Sequence, residues 1–295
     1  MSEPQAPPSS SAKSPPEPLI RNVSDTARWV AVYRARETER LDAHFRDPFA
    51  RRLAGERGEQ IAKSMPLGRD SAWSMITRTC LFDDFINEQI QRGVEMVINL
   101  AAGLDARPYR MQFPPSLHWI EVDLPEILAY KEEILRNEKP SCALERIRLD
   151  LSNAPARRDL FTQLGARCSR VLIISEGLLI YLTPEDVAGL AKDLAAPPSF
   201  QSWILDIASP GLLRMLAKKM ATQLDRAAPF KFAPREGPDF FLPCGWKPVD
   251  VRSLLKNAAR LKRLSLFMRL IALIPESEKS RRDRPWSGVC LLKKQ

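Results

Sequence analysis

Five short apolar runs, each separated from the next by a helical stretch, constrain the fold of this chain more than any other feature. The runs cover residues 94–100, 117–122, 144–149, 171–175 and 203–207. Such runs are typical of strands buried on both faces, and helical stretches of roughly ten to fifteen residues between them favour parallel connections. The pattern predicts an α/β fold with a mostly parallel sheet, whose ligand would lie beyond the carboxyl ends of the strands.

The region before the first run is predicted to be helical from residue 25 to residue 92. The segment Arg46-Asp47-Pro48 interrupts it, with a short helix restarting at Pro48, and a long helix fits residues 72–91. Residues 1–18 are rich in proline and serine and are predicted to be a disordered tail. We therefore predict one domain over residues 19–295, in which residues 19–92 form a helical lid on an α/β core.

Helix start signals recur in the second half of the chain. Thr183-Pro184-Glu185 supplies a cap, a proline at the first helical position and an acidic first turn, and Ser209-Pro210 repeats the cap and the proline. Further on, we predict a helix over residues 249–259 and a closing strand over residues 289–293. The order of strands in this last third is not predicted.

Composition narrows the function classes. The net charge is +9, and twelve basic residues lie within residues 252–294, but no aromatic residues are regularly interleaved with them. A solvated basic face is therefore favoured over a nucleic-acid partner. Five scattered cysteines without a CxxC pair, and only two histidines, predict no metal site and reduced thiols in a cytoplasmic protein. No secretory signal and no apolar run long enough to span a bilayer are present, so no membrane partner is expected.

The loop after the first run points to a nucleoside ligand. Its Gly103 can adopt the positive φ that a tight strand-to-helix turn needs. Asp123 follows twenty residues later, the offset typical of an acid that binds a ribose diol. Asp123 could instead cap a helix, but Pro125 fits the first helical position, which puts Leu124 at the cap and leaves the carboxylate free for a ligand. The loop lacks the G-x-G-x-x-G turn that a pyrophosphate needs, which favours a nucleoside without phosphates over a nicotinamide dinucleotide.

Several motifs carry a family resemblance. LAAGLDARPYR, EVDLPEIL with the following Lys131, Asp150-Leu151 and SEGLLIYLTPE occur in this order, after the segments SDTARWVAVYRARETER, FRDPFARRLAG and TRTCLFDDF. Together they resemble the leucine carboxyl methyltransferase-related family, from about residue 24 to residue 207. The resemblance implies a class I methyltransferase-like Rossmann sheet and S-adenosyl-L-methionine (SAM) as the cofactor.

The resemblance also implies which residues hold SAM. Gly103 would lie beside the methionine part, Asp123 at the ribose, and Asp150 with Leu151 at the adenine. Each pairing is chemically sensible, because a carboxylate accepts from the adenine amino group and a backbone N–H reaches a ring nitrogen. Ala101 departs from the family, which usually has glycine there, and its methyl group is expected to narrow the pocket.

Two further residues complete the implied cofactor site. Arg78 matches an arginine that binds the SAM carboxylate through two parallel hydrogen bonds, and Glu176 matches an acid near the SAM ammonium group. Structural roles stay open for both: Arg78 as a surface helix residue, Glu176 as the partner of a nearby arginine. Tyr181 is given no role.

The expected activity is O-methylation of a carboxylate or hydroxyl on a small molecule, with a protein carboxyl terminus as another acceptor. Few bases are available, which favours a carboxylate because it needs no deprotonation. An insertion over residues 212–242 lines either an acceptor pocket or the core through Met215, Met220, Phe230, Phe232, Phe240 and Phe241. A nicotinamide-dependent oxidoreductase and a non-catalytic basic nucleic-acid-binding protein on the same fold remain alternatives.

Overall fold

A seven-stranded sheet lies at the centre of the computed structural model, which describes residues 23–65, 68–224, 229–276 and 283–295. The predicted tail over residues 1–18 lies outside these residues. The strands are β1 (Met96–Leu100), β2 (His118–Asp123), β3 (Ala143–Arg148), β4 (Val171–Ser175), β5 (Phe200–Ala208), β6 (Trp246–Ser253) and β7 (Ser287–Lys294). They are arranged in the order β3-β2-β1-β4-β5-β7-β6.

The sheet is parallel except at one strand. β1 pairs in parallel with β2 and with β4, and the outer pairs β2–β3 and β4–β5 are parallel too. β7 runs antiparallel between β5 and β6. All five predicted strands are confirmed within a few residues, as is the closing strand. The predicted helix over residues 249–259 is confirmed only from Leu254 onward, and its first five residues are wrong because residues 246–253 form β6.

Ten helices connect and cover the described strands. They are α1 (Val23–Thr38), α2 (Ala50–Ser64), α3 (Gly68–Gln91), α4 (Arg107–Arg110), α5 (Pro125–Leu135), α6 (Ala154–Gly165), α7 (Pro184–Ala195), α8 (Pro210–Leu224), α9 (Leu254–Arg260) and α10 (Leu266–Ala272). Two 3₁₀ turns, Leu179–Tyr181 and Gly237–Cys244, complete the described elements.

Helices pack against both faces of the sheet, as predicted. On one face, Phe161 of α6 and Leu190 of α7 join a core with Ile98 and Ile120. On the other face, Phe82 and other α3 side chains pack against strand residues such as Trp119. Because alternate residues of the parallel strands point to opposite faces, both faces need covering, which explains the nearly continuous apolar runs.

The N-terminal helices form a separate layer beside α5. Trp29 and Val32 of α1 and Leu53 of α2 share an apolar cluster with Ile127 of α5. The predicted restart after Arg46-Asp47-Pro48 occurs at Ala50. This packing fixes α1 near the carboxyl edge of the strands, since α5 begins directly after β2.

Both predicted helix caps in the second half are present. The Thr183 side chain accepts from the backbone N–H of Asp186, whose carboxylate accepts from the Thr183 N–H in return, a capping box. The Ser209 hydroxyl accepts from the Leu212 N–H at 3.1 Å. Among the described residues, no helix is long and apolar enough to cross a membrane.

Candidate functional site

The carboxyl ends of the strands open into one large cavity. Its volume is about 1310 Å³. All six residues predicted to bind the cofactor line it, namely Arg78, Gly103, Asp123, Asp150, Leu151 and Glu176. They come from α3 and from the ends of β1, β2, β3 and β4, which meet at one edge because these strands are parallel.

The loop after β1 is tightly turned against the end of β2. Ala101 and Gly103 have φ angles of +52° and +49°. The Gly103 N–H donates to Oδ2 of Asp123 at 2.6 Å. A Cβ on Gly103 would lie 3.3 Å from the Cβ of Ala27 on α1, so a side chain there would fill the narrow space between loop and helix. The loop therefore offers backbone, not side chains, to whatever binds in the cavity.

Asp123 lies outside the helix that follows it, with Leu124 at the cap as predicted. Its carboxylate is not free of partners, however. Oδ1 accepts from the Leu124 N–H at 2.7 Å, and Oδ2 accepts from Gly103. Burial raises the pKa of this carboxyl above its ordinary value, against the lowering effect of those two bonds. Each oxygen keeps a second lone pair, so the carboxylate can hold the loop and accept from a diol together.

Asp150 and Leu151 follow β3 on the next strand of the sheet. Asp123 is paired in register with Arg148, which brings residue 150 close to the end of β2. The exposed Asp150 carboxylate accepts from the Ser152 N–H at 2.9 Å, and the Leu151 carbonyl accepts from Nη1 of Arg157 at 2.7 Å. These bonds fix a short turn whose edge faces the cavity.

Arg78 and Glu176 are partners of each other. Nε of Arg78 lies 3.0 Å from Oε1 of Glu176, and its Nη1 lies 3.2 Å from Oδ2 of Asp206. Glu176 also accepts from Arg107 at 2.9 Å. Arg78 is therefore not a surface residue, and Glu176 has the structural partner that was left open. Nη2 of Arg78 makes no hydrogen bond within the described part of the chain.

Asp206, in β5, is a cavity residue that the sequence reasoning missed. Its Oδ1 accepts from the Gly177 N–H at 2.6 Å. Burial raises the pKa of its carboxyl, opposed by the positive charge of Arg78. The signal that could have found it is its place near the end of the fifth apolar run, at the edge where the other strand ends supply ligand-binding residues.

A buried arginine connects this group to α3 and α4, and it too was missed. Arg107 donates to Asp83 at 2.6 Å, to Asp105 at 2.7 Å and to Glu176. Burial alone would raise the pKa of Asp105, but Arg107 and other nearby cations hold it well below its usual range. The cluster, which we call the ion network, has three arginines and four acids: Arg78, Arg107, Arg110, Asp83, Asp105, Glu176 and Asp206.

Lys131, which follows the EVDLPEIL motif, supports the strand that carries Asp123 without lining the cavity. Lys131 of α5 and Glu121 of β2 are both fully buried, and their charged atoms lie 2.7 Å apart. Arg146 of β3 pairs with the other Glu121 oxygen at 2.8 Å. Lys131 therefore ties α5 to the strand that carries Asp123 and does not line the cavity.

The far side of the cavity is apolar. It is lined by side chains of α1, α3, α8 and α10 and of the segment before Gly237, including Trp29, Trp73, Met75, Met215, Leu216, Phe230, Phe232 and Met268. The side chains of the predicted insertion over residues 212–242 therefore have different roles. Met215, Phe230 and Phe232 face the cavity, Phe241 is core against Trp203, and the Met220 side chain lies outside the described residues. No group of histidine, cysteine and acidic side chains in the described ranges is placed to hold a metal ion.

Comparison with known proteins assigns the family. The family model described as leucine carboxyl methyltransferase matches residues 27–195. The chain belongs to the leucine carboxyl methyltransferase family. A Streptomyces coelicolor relative, provisionally named an S-adenosyl-L-methionine-dependent methyltransferase, is 38% identical over 178 residues, which cover 56% of this chain and 61% of that protein. A Frankia alni relative with the same provisional designation is 32% identical over 198 residues, which cover 61% of this chain and 70% of the relative.

The matched stretch spans less than two thirds of the Streptomyces relative, and a second Frankia alni relative is matched over 63% of its length. Two solved structures show the fold. A DUF574 family protein from Streptomyces avermitilis has a TM-score of 0.55 at 14% identity, covering 92% of this chain and 97% of its own. A provisionally named methyltransferase from Thermobifida fusca has a TM-score of 0.53 at 14% identity, covering 94% and 96%. The predicted class I methyltransferase-like fold is confirmed.

The residues that the leucine carboxyl methyltransferase model matches line only part of the cavity. Residues 27–195 contain all six predicted cofactor residues and the ion network except Asp206. The match stops before Met215, Phe230 and Met268 of the apolar wall. The family likeness therefore covers the polar side of the cavity and only the part of the apolar side that α1 and α3 supply.

Proposed function

We propose that this protein transfers a methyl group from SAM to an oxygen atom of a small apolar acceptor. The observation that carries the proposal is the convergence of Arg78, Gly103, Asp123, Asp150, Leu151 and Glu176 on one cavity, beside an apolar wall. SAM supplies a methyl group on a positively charged sulfur. The protein's part is to hold an acceptor oxygen in line with that methyl group, at about 3 Å.

The nucleoside end of SAM fits the ends of β2 and β3. In this proposal Asp123 accepts hydrogen bonds from the ribose diol with the lone pairs that Gly103 and Leu124 leave unused. Asp150 accepts from the adenine amino group, and the Leu151 N–H donates to a ring nitrogen. Two observations support this assignment: Asp150 is exposed, and the register between β2 and β3 brings the two strand ends together, as adjacent ribose and adenine groups require.

The methionine end of SAM fits the ion network. Its carboxylate accepts from Arg78, whose Nη2 is uncommitted among the described residues, and its ammonium group donates to Glu176. Three arginines against four acids leave one excess negative charge when all are ionised. That balance suits a cofactor with a net positive charge better than it suits a pyrophosphate, which carries negative charge.

The acceptor is proposed to have an apolar body. A cavity of about 1310 Å³ exceeds the roughly 300–1,000 Å³ of a typical ligand pocket, so it can hold a second molecule beside the cofactor. The space beyond the polar groups is lined by Trp29, Trp73, Met215 and Phe230. Large aromatic side chains and flexible methionines are suited to binding an apolar molecule of irregular shape.

Of the two candidate acceptor groups, a carboxylate and a hydroxyl, the carboxylate is favoured. A hydroxyl needs a general base with a pKa near neutrality, and no histidine lines the cavity in the described part of the chain. Tyr181 lines it, but burial raises the pKa of its hydroxyl. An assay that offers matched aromatic carboxylic acids and phenols tests this choice. Methyl esters are expected, and methylation of phenols alone would contradict it.

The cofactor is tested by calorimetric titration with SAM and with its demethylated product, S-adenosylhomocysteine. Binding in the micromolar range is expected. Asp123→Ala is expected to weaken it by about 10- to 100-fold, since a hydrogen bond to a charged group contributes about 1.5–3 kcal/mol. Asp159→Ala, at an exposed acid that does not line the cavity, is the matched control and should bind like the wild type.

Two other titrations separate the alternatives. NAD⁺ binding without SAM binding would indicate the oxidoreductase, and salt-sensitive binding of nucleic acid alone would indicate the non-catalytic protein. Because Asp123 also holds the loop, thermal unfolding of Asp123→Ala must show a folded protein. A folded wild type that binds neither SAM nor its product overturns the proposal.

A further inference from the structure

The surface formed by α10 and the two residues after it is unusually apolar. Five of the nine large hydrophobic side chains exposed among the described residues lie within nine consecutive positions. These are Leu266 (79% exposed), Phe267 (70%), Leu270 (66%), Leu273 (77%) and Ile274 (48%). Their spacing of three and four residues places them on one side of the helix, so they form one continuous patch, which we call the α10 face.

The opposite side of α10 is apolar too. Ala272 and Met268 pack with Ala258 and Leu264 near α9 and against Trp73 of α3. The helix therefore has few polar positions, chiefly Arg269. A helix that is apolar all round is normally buried, and an exposed patch of this kind marks a surface that another molecule covers.

Exposed basic residues lie on α10 and in the segment just before it. Arg260, Lys262 and Arg269 are exposed, and no acidic residue occurs between positions 260 and 275. Within the described ranges none of the three pairs with a carboxylate, and Nε of Arg269 donates only to the Leu264 carbonyl. An apolar patch with uncompensated basic residues beside it complements a surface that has acyl chains beneath anionic headgroups.

A neighbouring turn adds an apolar tip to this region. Leu41 is fully exposed on the turn after α1. Arg263 holds that turn through the Asp42 carboxylate at 3.0 Å, and His44 lies 2.7 Å from the Leu261 carbonyl. The turn after α1 and helix α10 thus both present exposed apolar side chains, and the two contacts hold that turn against the segment before α10.

We propose that the α10 face binds the surface of an anionic phospholipid bilayer, with α10 lying in the plane of the headgroups. A second copy of the chain fits less well, because a two-fold contact through this face would bring the basic residues of both copies together. The absence of a membrane-spanning helix among the described residues does not oppose this mode, since a surface helix needs no span. The expectation of no membrane partner rested on the lack of a secretory signal and of a spanning segment, and neither bears on binding at the bilayer surface.

Cosedimentation with phospholipid vesicles tests the proposal on the full chain. One set contains phosphatidylcholine alone, and the other contains about one third phosphatidylglycerol, enough for a negative surface potential. Binding is expected to the second set and to fall as salt rises, because screening weakens the attraction of exposed charges. Neither SAM nor an acceptor is needed, so the result is independent of the proposed activity.

Variants separate the apolar contribution to vesicle binding from the electrostatic contribution. Phe267→Asp with Leu270→Asp is expected to lower the partition coefficient at least about tenfold, since apolar burial drives insertion. Lys262→Gln with Arg269→Gln should lower binding to the anionic vesicles and weaken its dependence on salt. Val249→Asp, at another exposed apolar residue, is the control and should leave binding unchanged. Circular dichroism melting confirms that each variant folds.

Three results would overturn the proposal. The first is no binding to either vesicle set by folded wild type. The second is equal loss of binding in Val249→Asp and in the α10 variant, which would show no special role for the α10 face. The third is a concentration-dependent dimer in sedimentation velocity that Phe267→Asp abolishes, which would identify a second copy as the occupant.

Discussion

Ala101 occupies a backbone conformation that favours glycine, with a φ of +52°. From the sequence, its methyl group was expected to narrow the cofactor pocket. The structure adds a cost in the backbone, because an L-residue in the left-handed region is disfavoured by about 1–2 kcal/mol. The surrounding structure holds it there, with the Ala102 N–H donating to the Val122 carbonyl and Gly103 bonded to Asp123. The loop is therefore strained next to the residue proposed to hold the ribose.

Ala101→Gly is expected to raise the free energy of unfolding. Relief of the strain is partly offset by about 0.4–1 kcal/mol from the greater freedom of glycine in the unfolded chain, which leaves a net gain of up to about 1.6 kcal/mol. Urea denaturation measures it. The control is Ala102→Gly, at a neighbour without positive φ, which should destabilise the protein. Equal destabilisation by both substitutions would show that position 101 is unstrained.

Whether the sequence predicts a site residue depends on how far apart along the chain that residue and its contact partners lie. Gly103 and Asp123 could be assigned from a loop and a strand end, which are local features. The pairs that Arg78 makes with Glu176 and Asp206 join positions 98 and 128 residues apart, and no local pattern encodes them. Family resemblance supplied Arg78 and Glu176 as ligand residues, but it could not supply Asp206 or the ion network.

At the scale of elements, the strands with an apolar signal were predictable, including β3 at one edge of the sheet, but β6 at the other edge was not. β4 was predicted at its observed bounds. β6 was interpreted from Val249 onward as part of a helix, and Pro248 and the charged Asp250 and Arg252 make it a poor strand by sequence. The edge position allows β6 to contain Pro248, since a proline there breaks no ladder on the open side of the strand. A register shift between Pro248 and Asp250 accommodates it, and pairing with β7, distant in sequence, specifies the strand.

The capping box of α7 is a local element that the sequence predicted and whose contribution can be measured. Thr183→Ala is expected to lower the free energy of unfolding by about 1 kcal/mol, since the Asp186 N–H loses its acceptor. Thr183→Ser should retain most of the stability. Thr162→Ala on α6 removes an exposed hydroxyl that bonds within the helix and is the control, with little expected change. Equal losses at positions 162 and 183 would contradict a specific capping role.

At the scale of the whole molecule, the two sides of the cavity differ in how they are specified. The polar side consists mainly of strand ends and α3 within the family match, so its fold and six of its residues could be predicted, but Asp206 and Arg107 could not. The α8 and α10 part of the apolar side lies beyond residue 195 and was predicted only in part. Apolar side chains there have the same sequence signature whether they line a cavity or pack in the core, and only the tertiary structure separates Phe230 from Phe241.

The ion network predicts opposite contributions of two buried acids to stability at low pH. The pKa of Asp105 is depressed in the folded protein, so its contribution is present above the unfolded value near 3.8 and is lost as pH falls. The pKa of Asp206 is raised by burial, so its contribution is present below that value and is lost as pH rises. Urea denaturation at pH values from about 3 to 7 should therefore show that Asp105→Asn flattens the acid loss of stability, by at most about 1.4 kcal/mol per pH unit. Asp206→Asn should steepen it. A change of the same sign in both variants would mean that the pKa of Asp105 and the pKa of Asp206 are not shifted in opposite directions in the folded protein.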